Sequence, residues 1–175
     1  MIEIKQLYAL EWLGPYNSIE DMLNDDNVIN GSIYLITGRQ KYERAKHIKY
    51  IGITERDPAV RLSDKDHKIK QEQILEKKYW VGVFSRVSNR NLRKHAELIE
   101  TLFIRYLYLN DVKIINKVKL KKEPKCAVVV VNRWNKDIEN HRLYKPSLLS
   151  ELPDLLIYDG SEYWGTQKLK FLVAP

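Results

Sequence analysis

The chain has 175 residues, 44% hydrophobic and 30% charged, enough for one folded domain with a buried core and a composition that excludes a disordered chain. Lys and Arg number 30 against 23 Asp and Glu, a net charge of +7, and the single cysteine, Cys126, excludes an internal disulfide framework and any zinc cage of two or more thiolates. The opening residues do not read as a signal peptide, and the longest apolar run, 126–131, is far short of the ~20 residues a membrane helix needs, so the expectation is a soluble protein of the reducing cytoplasm.

In chain order, Ser18 with Asp21 three residues on marks a helix start, followed by Ile19, Met22 and Leu23. Asn30-Gly31 is a turn, and Ser32-Ile33-Tyr34-Leu35-Ile36-Thr37 a short β-rich run. A polar, basic loop over 38–46 leads to a return strand, His47-Ile48-Lys49-Tyr50-Ile51-Gly52-Ile53-Thr54, as in an antiparallel pair. Asp57-Pro58 pairs an N-cap acid with proline at the first helical position, opening a helix that should run into the 70s with Val60, Leu62, Ile69 and Ile74 inward. Residues 79–84 read as a third strand. Leu92, Ala96, Ile99, Phe103 and Tyr106 then recur at spacings of 4, 3, 4 and 3, an amphipathic helix by its period. Beyond a Lys-rich stretch ending at Lys125, strands are expected over 126–131, 155–158 and 168–173. There is no internal repeat or flexible linker.

Charge is uneven. Residues 1–36 carry one base and six acids, whereas residues 37–95 carry sixteen bases and seven acids, or +9. Such a basic middle is the footprint of a surface that meets a polyanion, because neutralising phosphates releases counterions.

Several side chains in this region carry the chemistry of phosphodiester hydrolysis. Tyr34 and Tyr50 stand on adjacent strands, Arg61 on the first turn of the Asp57-Pro58 helix, where free N–H groups favour an anion, and His67 six residues on. Glu97 and Glu100 project from one helix face, and Asn116 follows. A carboxylate can hold Mg²⁺, an arginine can neutralise charge growing on phosphate, and a tyrosine, histidine or lysine can orient or deprotonate water. Taken singly, each has an ordinary reading as packing or a solvated face.

In order, Ser32-Ile33-Tyr34, Tyr50-Ile51-Gly52, Arg61, His67, Glu100 and Asn116 resemble the GIY-YIG nuclease family over roughly residues 31–117. Ser32 replaces the family's first glycine, and the sixteen positions from Tyr34 to Tyr50 make the 38–46 loop look like an insertion. Where many members carry histidine one turn after the arginine, this chain has Lys65, so Lys65 and His67 both remain candidates. Glu100, followed by an apolar pair, fits the metal ligand, with Glu97 the second choice.

The resemblance implies an α+β fold: a three-stranded antiparallel sheet flanked by helices over 31–117, with an N-terminal extension over 1–30 bearing a short helix and an additional C-terminal β-rich extension over 118–175, either a small lobe of its own or further strands packed on the same domain. It implies a DNA endonuclease in which Glu100 holds Mg²⁺ or Mn²⁺, Arg61 the phosphate, Tyr50 and His67 the water, Tyr34 completes the pocket and Asn116 fixes the geometry. Products would carry 5′-phosphate and 3′-hydroxyl ends, and two copies, as in a homodimer, would serve double-strand cutting. Arg39, Lys41, Arg44, Lys46, Lys49, Lys68 and Lys70 would meet the nucleic-acid backbone, and Trp134 and Trp164 could stack on bases or pack in the core. Two other readings stand beside it: the same fold binding nucleic acid without cutting, and an interaction protein whose basic middle meets an acidic partner.

Overall fold

Tyr8, Leu10 and Trp12 alternate with Ala9 and Glu11, and that period of two builds β1 (Gln6–Tyr16), with the first three buried on one face. The computed structural model describes residues 6–85, 89–134 and 149–166. After β1, Ser18 caps α1 (Ile19–Leu23): its hydroxyl accepts from the Asp21 amide at 3.0 Å while the Asp21 carboxylate accepts from the Ser18 amide at 3.1 Å. The hairpin of β2 (Ile33–Arg39) and β3 (His47–Ile53) follows, then α2 (Pro58–Ser63), β4 (Leu75–Ser85) and α3 (Leu92–Leu109). Next come β5 (Val128–Trp134), β6 (Leu155–Tyr158) and β7 (Tyr163–Thr166).

All the strands among the described residues join one mixed sheet of seven, in the order β3-β2-β4-β1-β5-β6-β7, curled into a half-barrel. Neighbours are antiparallel except β1 and β5, which run parallel. This corrects the expected three-stranded sheet flanked by helices. β3, β2 and β4 do adjoin, but β1 hydrogen-bonds β4 along one edge and β5 along the other, so the sheet continues without a break into the C-terminal strands. The description α+β holds only loosely, as mostly strands with three helices.

Two cores lie on opposite faces. The larger joins Tyr8, Leu10, Trp12, Leu35, Ile51 and Trp80 to Ile99, Phe103 and Leu107 of α3, with Trp12 stacked on Trp134 at 5.4 Å. Trp134 is therefore core, whereas Trp164 is half exposed. The smaller core gathers Met22, Val28, Tyr34, Ile36, Ala59, Leu62, Ile69 and Val81.

α2 is much shorter than its sequence suggests. Ser63 turns its hydroxyl back onto the Ala59 carbonyl at 2.8 Å, and Asp64 adopts an extended ψ of 133°, so the helix stops there. A helix of six residues is well under the ~12–15 that hold alone in water, so burial of Ala59 and Leu62 keeps it formed. Leu62, Ile69 and Ile74 are buried as expected, but Val60 is exposed. The strand expected over 168–173 lies outside the described residues. No helix among the described residues is long and apolar enough to cross a membrane.

Candidate active site

Tyr34 faces Gly52 and Ile36 faces Tyr50 in the β2/β3 register, which sets the two tyrosines side by side, ring centroids 6.1 Å apart and 30° from parallel. Tyr34 is 2% exposed, and its ring occupies the space a side chain at position 52 would fill. A Cβ there would lie 2.4 Å from both Cζ and Oη of Tyr34. The glycine of Tyr50-Ile51-Gly52 is thus required by close approach. Ser32 keeps a strand role, its amide donating to Gly82 O at 3.1 Å; the close-packed glycine is Gly31, where a Cβ would meet Val81 Cγ1 at 2.1 Å.

His67 lies below the tyrosines, 1% exposed, just after the break in α2. The Ile69 amide donates to its Nδ1 at 3.2 Å, which leaves the ring proton on Nε2 in the neutral form. Nε2–H then donates to Tyr34 Oη at 2.9 Å, and the Tyr34 ring lies alongside that of Tyr50. Burial, with help from the Arg61 charge, pushes the His67 pKa down to about 4. The resemblance gives His67, with Tyr50, the water to orient or deprotonate. The environment of His67 makes it a neutral donor that orients Tyr34. Lys65 is exposed.

Burial raises the pKa of Tyr34 strongly. Tyr50 is also raised, by burial first and the Glu100 carboxylate second, while the bond from Tyr34 and the Arg61 charge pull it back. Arg61 is half exposed and bonds Asp64 Oδ2 at 2.7 Å; the same oxygen takes Arg56 Nη2 at 2.6 Å. These two guanidinium groups, Arg61 first, hold the Asp64 carboxyl below the usual carboxylate range. Because α2 is short, Arg61 falls in its last turn, and the favourable field of a helix start does not act at this position.

α3 brings Glu100 to the same place, its side chain only 13% exposed and ion-paired with the Lys119 ammonium. Glu97 points outward, 49% exposed and paired with Arg93 at 2.7 Å. Glu100 is the one whose field reaches both tyrosines. A hard cation such as Mg²⁺ or Mn²⁺ takes one or two carboxylates and keeps its waters, and Glu100 is the carboxylate that could offer it a ligand here. Lys119 already places a positive charge on that carboxylate. Among the described residues no cluster of three or more His, Cys, Asp or Glu is placed to hold a metal.

Asn116, 6% exposed, acts on the backbone of β3: its Oδ1 accepts from Ile51 N at 3.1 Å and its Nδ2 donates to Ile51 O at 2.8 Å. With the Ile115 amide on Lys49 O at 2.7 Å, it closes the outer edge of the strand between Tyr50 and Gly52. The bonds to Ile51 make it a positioning residue.

The expected backbone-binding cations separate into groups. Arg39 and Lys46 share Glu76 at 2.6 and 2.5 Å, and Lys70 donates to Ser63 O at 2.6 Å. Lys49 is fully buried, its ammonium 2.6 Å from Glu43, so it meets no phosphate in the folded protein. Lys41, Arg44 and Lys68 are exposed. Arg56, Asp64 and Lys119 adjoin the site and were not singled out from the sequence. Arg56 has one weak signal, its place just before Asp57-Pro58; Lys119 sits in a Lys-rich stretch with nothing to distinguish it. Comparison of the chain with family models, with curated proteins and with solved structures finds no match.

Proposed function

We propose that the protein is a metal-dependent endonuclease that hydrolyses phosphodiester bonds of nucleic acid, DNA in the first instance, leaving 5′-phosphate and 3′-hydroxyl ends. The observation that carries this reading is the convergence of Tyr34 (β2), Tyr50 (β3), Arg61 (α2), His67 and Glu100 (α3) from parts of the chain up to 66 positions apart. Arg61 swings from Asp64 onto the phosphate and neutralises its growing charge. Tyr50 orients the attacking water beside Tyr34, whose hydroxyl is held by the bonds that run from Ile69 N through His67. Glu100 would hold one Mg²⁺ or Mn²⁺, which supplies charge neutralisation at the phosphate when bound.

A second reading, a nucleic-acid-binding protein that does not cut, is favoured by two features: Lys119 is seated on Glu100, and Tyr50 is held protonated. Supercoiled plasmid incubated with Mg²⁺, Mn²⁺ or EDTA separates the two. Metal-dependent nicking is expected, lost in Arg61→Ala and Glu100→Ala and retained in Glu97→Ala. Salt-sensitive binding without cleavage would overturn the endonuclease and leave the binding protein; cutting that leaves 3′-phosphates would overturn the mechanism.

A further inference from the structure

The connection between β2 and β3, residues 40–46, is basic but not loose. Glu43 sits at its centre. Its carboxylate accepts from Gln40 N at 2.7 Å and from Lys49 Nζ at 2.6 Å, while its amide donates to Gln40 O at 3.0 Å and its carbonyl accepts from Arg39 Nη1 at 3.4 Å. Lys49 is the extra residue where the β2/β3 register shifts between Ile36 and Thr37, and it is fully buried, its ammonium also 3.4 Å from Lys113 O. An ammonium so buried is strongly destabilising without its carboxylate, so the pair holds the loop in one shape.

The acids here are all occupied within the loop and its surroundings. Glu43 serves Lys49, and Glu76 serves both Arg39 and Lys46. Lys41 and Arg44 have no carboxylate partner among the described residues. Between them stands Tyr42, 90% exposed, with the Lys41 ammonium 5.7 Å from its ring centroid. A lone exposed apolar side chain is ordinary. An aromatic ring presented on a pinned loop between two unpaired cations is a different case, because the ordering cost of a binding loop is already met by the fold.

We infer that Tyr42 is a stacking platform for an unpaired nucleobase, with Lys41 and Arg44 on the flanking phosphates. Carboxylates of an acidic protein would satisfy the two cations but leave the ring face unused, whereas every base has a face to lay on it. The placement of this platform relative to chemistry rests on the proposed function. Five residues of β2 separate Tyr34 from Arg39, about 17 Å at ~3.3 Å each, or about five nucleotide steps at ~3.4 Å per step of one strand. A substrate unpaired about five nucleotides from the cut bond would engage both places.

The test is binding in EDTA, where no metal-dependent cutting occurs, using fluorescently labelled 20-nucleotide DNA, single-stranded and duplex, and oligoglutamate as competitor. Tyr42→Ala should weaken single-strand binding by between about fivefold and a hundredfold, the range that loss of one base–aromatic stack produces, with a smaller effect on duplex. Tyr42→Phe should bind within twofold of the wild type, and 2-aminopurine in the oligonucleotide should be quenched by the wild type but not by Tyr42→Ala. Binding by Tyr42→Ala within twofold of the wild type, or displacement of DNA by oligoglutamate at equal charge, overturns the platform. Binding of this kind by a protein that never cuts would defeat the endonuclease alone; cutting with an indifferent Tyr42 would defeat the platform alone.

Discussion

Protonating His67 is the perturbation that most directly probes the site. Both ring nitrogens are occupied: Nδ1 takes the Ile69 amide at 3.2 Å and Nε2–H feeds Tyr34 at 2.9 Å, so an added proton must sit on Nδ1 and expel the amide. With the residue 1% exposed, solvent cannot compensate. The folded pKa is pushed from 6.5 to about 4, so between those values the unfolded chain binds a proton that the folded chain refuses. Stability contributed by His67 is therefore flat above about pH 7 and falls as pH drops from 6.5 towards 4. Linkage puts the loss at about 2 kcal/mol by pH 5. Urea unfolding at pH 7.5 and 5 should show the wild type losing about 2 kcal/mol more than His67→Gln over that interval. An NMR titration should find the His67 imidazole half-protonated near pH 4. A midpoint above 6, or equal pH slopes in the two proteins, would refute the hydrogen-bonding scheme.

Two further substitutions test the geometry around the tyrosines. Gly52→Ala puts a methyl 2.4 Å from the Tyr34 ring, so the ring must turn away at a cost of roughly 1–3 kcal/mol. The His67 Nε2–H then loses its partner, so its proton resonance should move; an unchanged resonance would show that Tyr34 does not depend on the glycine. Asn116→Ala leaves the Ile51 amide and carbonyl unpaired at the sheet edge, costing roughly 2 kcal/mol in denaturant unfolding. Amide exchange at Ile51 should accelerate far more than at Ile36 in the interior; equal protection would place the edge closure elsewhere.

Much of the β2/β3 hairpin was legible because its signal is local. Apolar residues alternate on both sides of a polar loop, and a strand reads the same wherever it sits in a sheet. β1 carried a readable signal too, Tyr8, Leu10 and Trp12 at period two, obscured by Leu7 and Leu13 at the intervening positions. Its consequence, a strand bridging β4 and β5, depends on pairings 63 to 76 positions apart on one side and 122 on the other, which no local pattern encodes. Lys49 shows the same limit. A lysine in a polar-looking strand suggests a solvated cation, but the β-bulge turns it inward onto Glu43. Asn116 was found through resemblance, while its bonds to Ile51 across 65 positions appear only in three dimensions. The early end of α2 turns on Ser63 bonding back to Ala59, a choice the helical pattern alone does not settle.

The electrostatics of the site order its parts. Burial and the Glu100 charge hold Tyr50 protonated, and they outweigh the bond from Tyr34 and the charge of Arg61. In the free protein at neutral pH, Tyr50 is thus a phenol that can orient water but takes no proton. The balance is set by how many positive charges face Glu100 and the tyrosines, and two are only partly engaged there. Lys119 pairs with Glu100 and screens it, while Arg61 is drawn aside by Asp64, which it shares with Arg56. On the proposed function a phosphate would compete with Asp64 for Arg61, and Arg56 would remain to satisfy the carboxylate. Arg56 therefore lowers the cost of releasing Arg61, because Asp64 keeps a partner whichever way Arg61 turns.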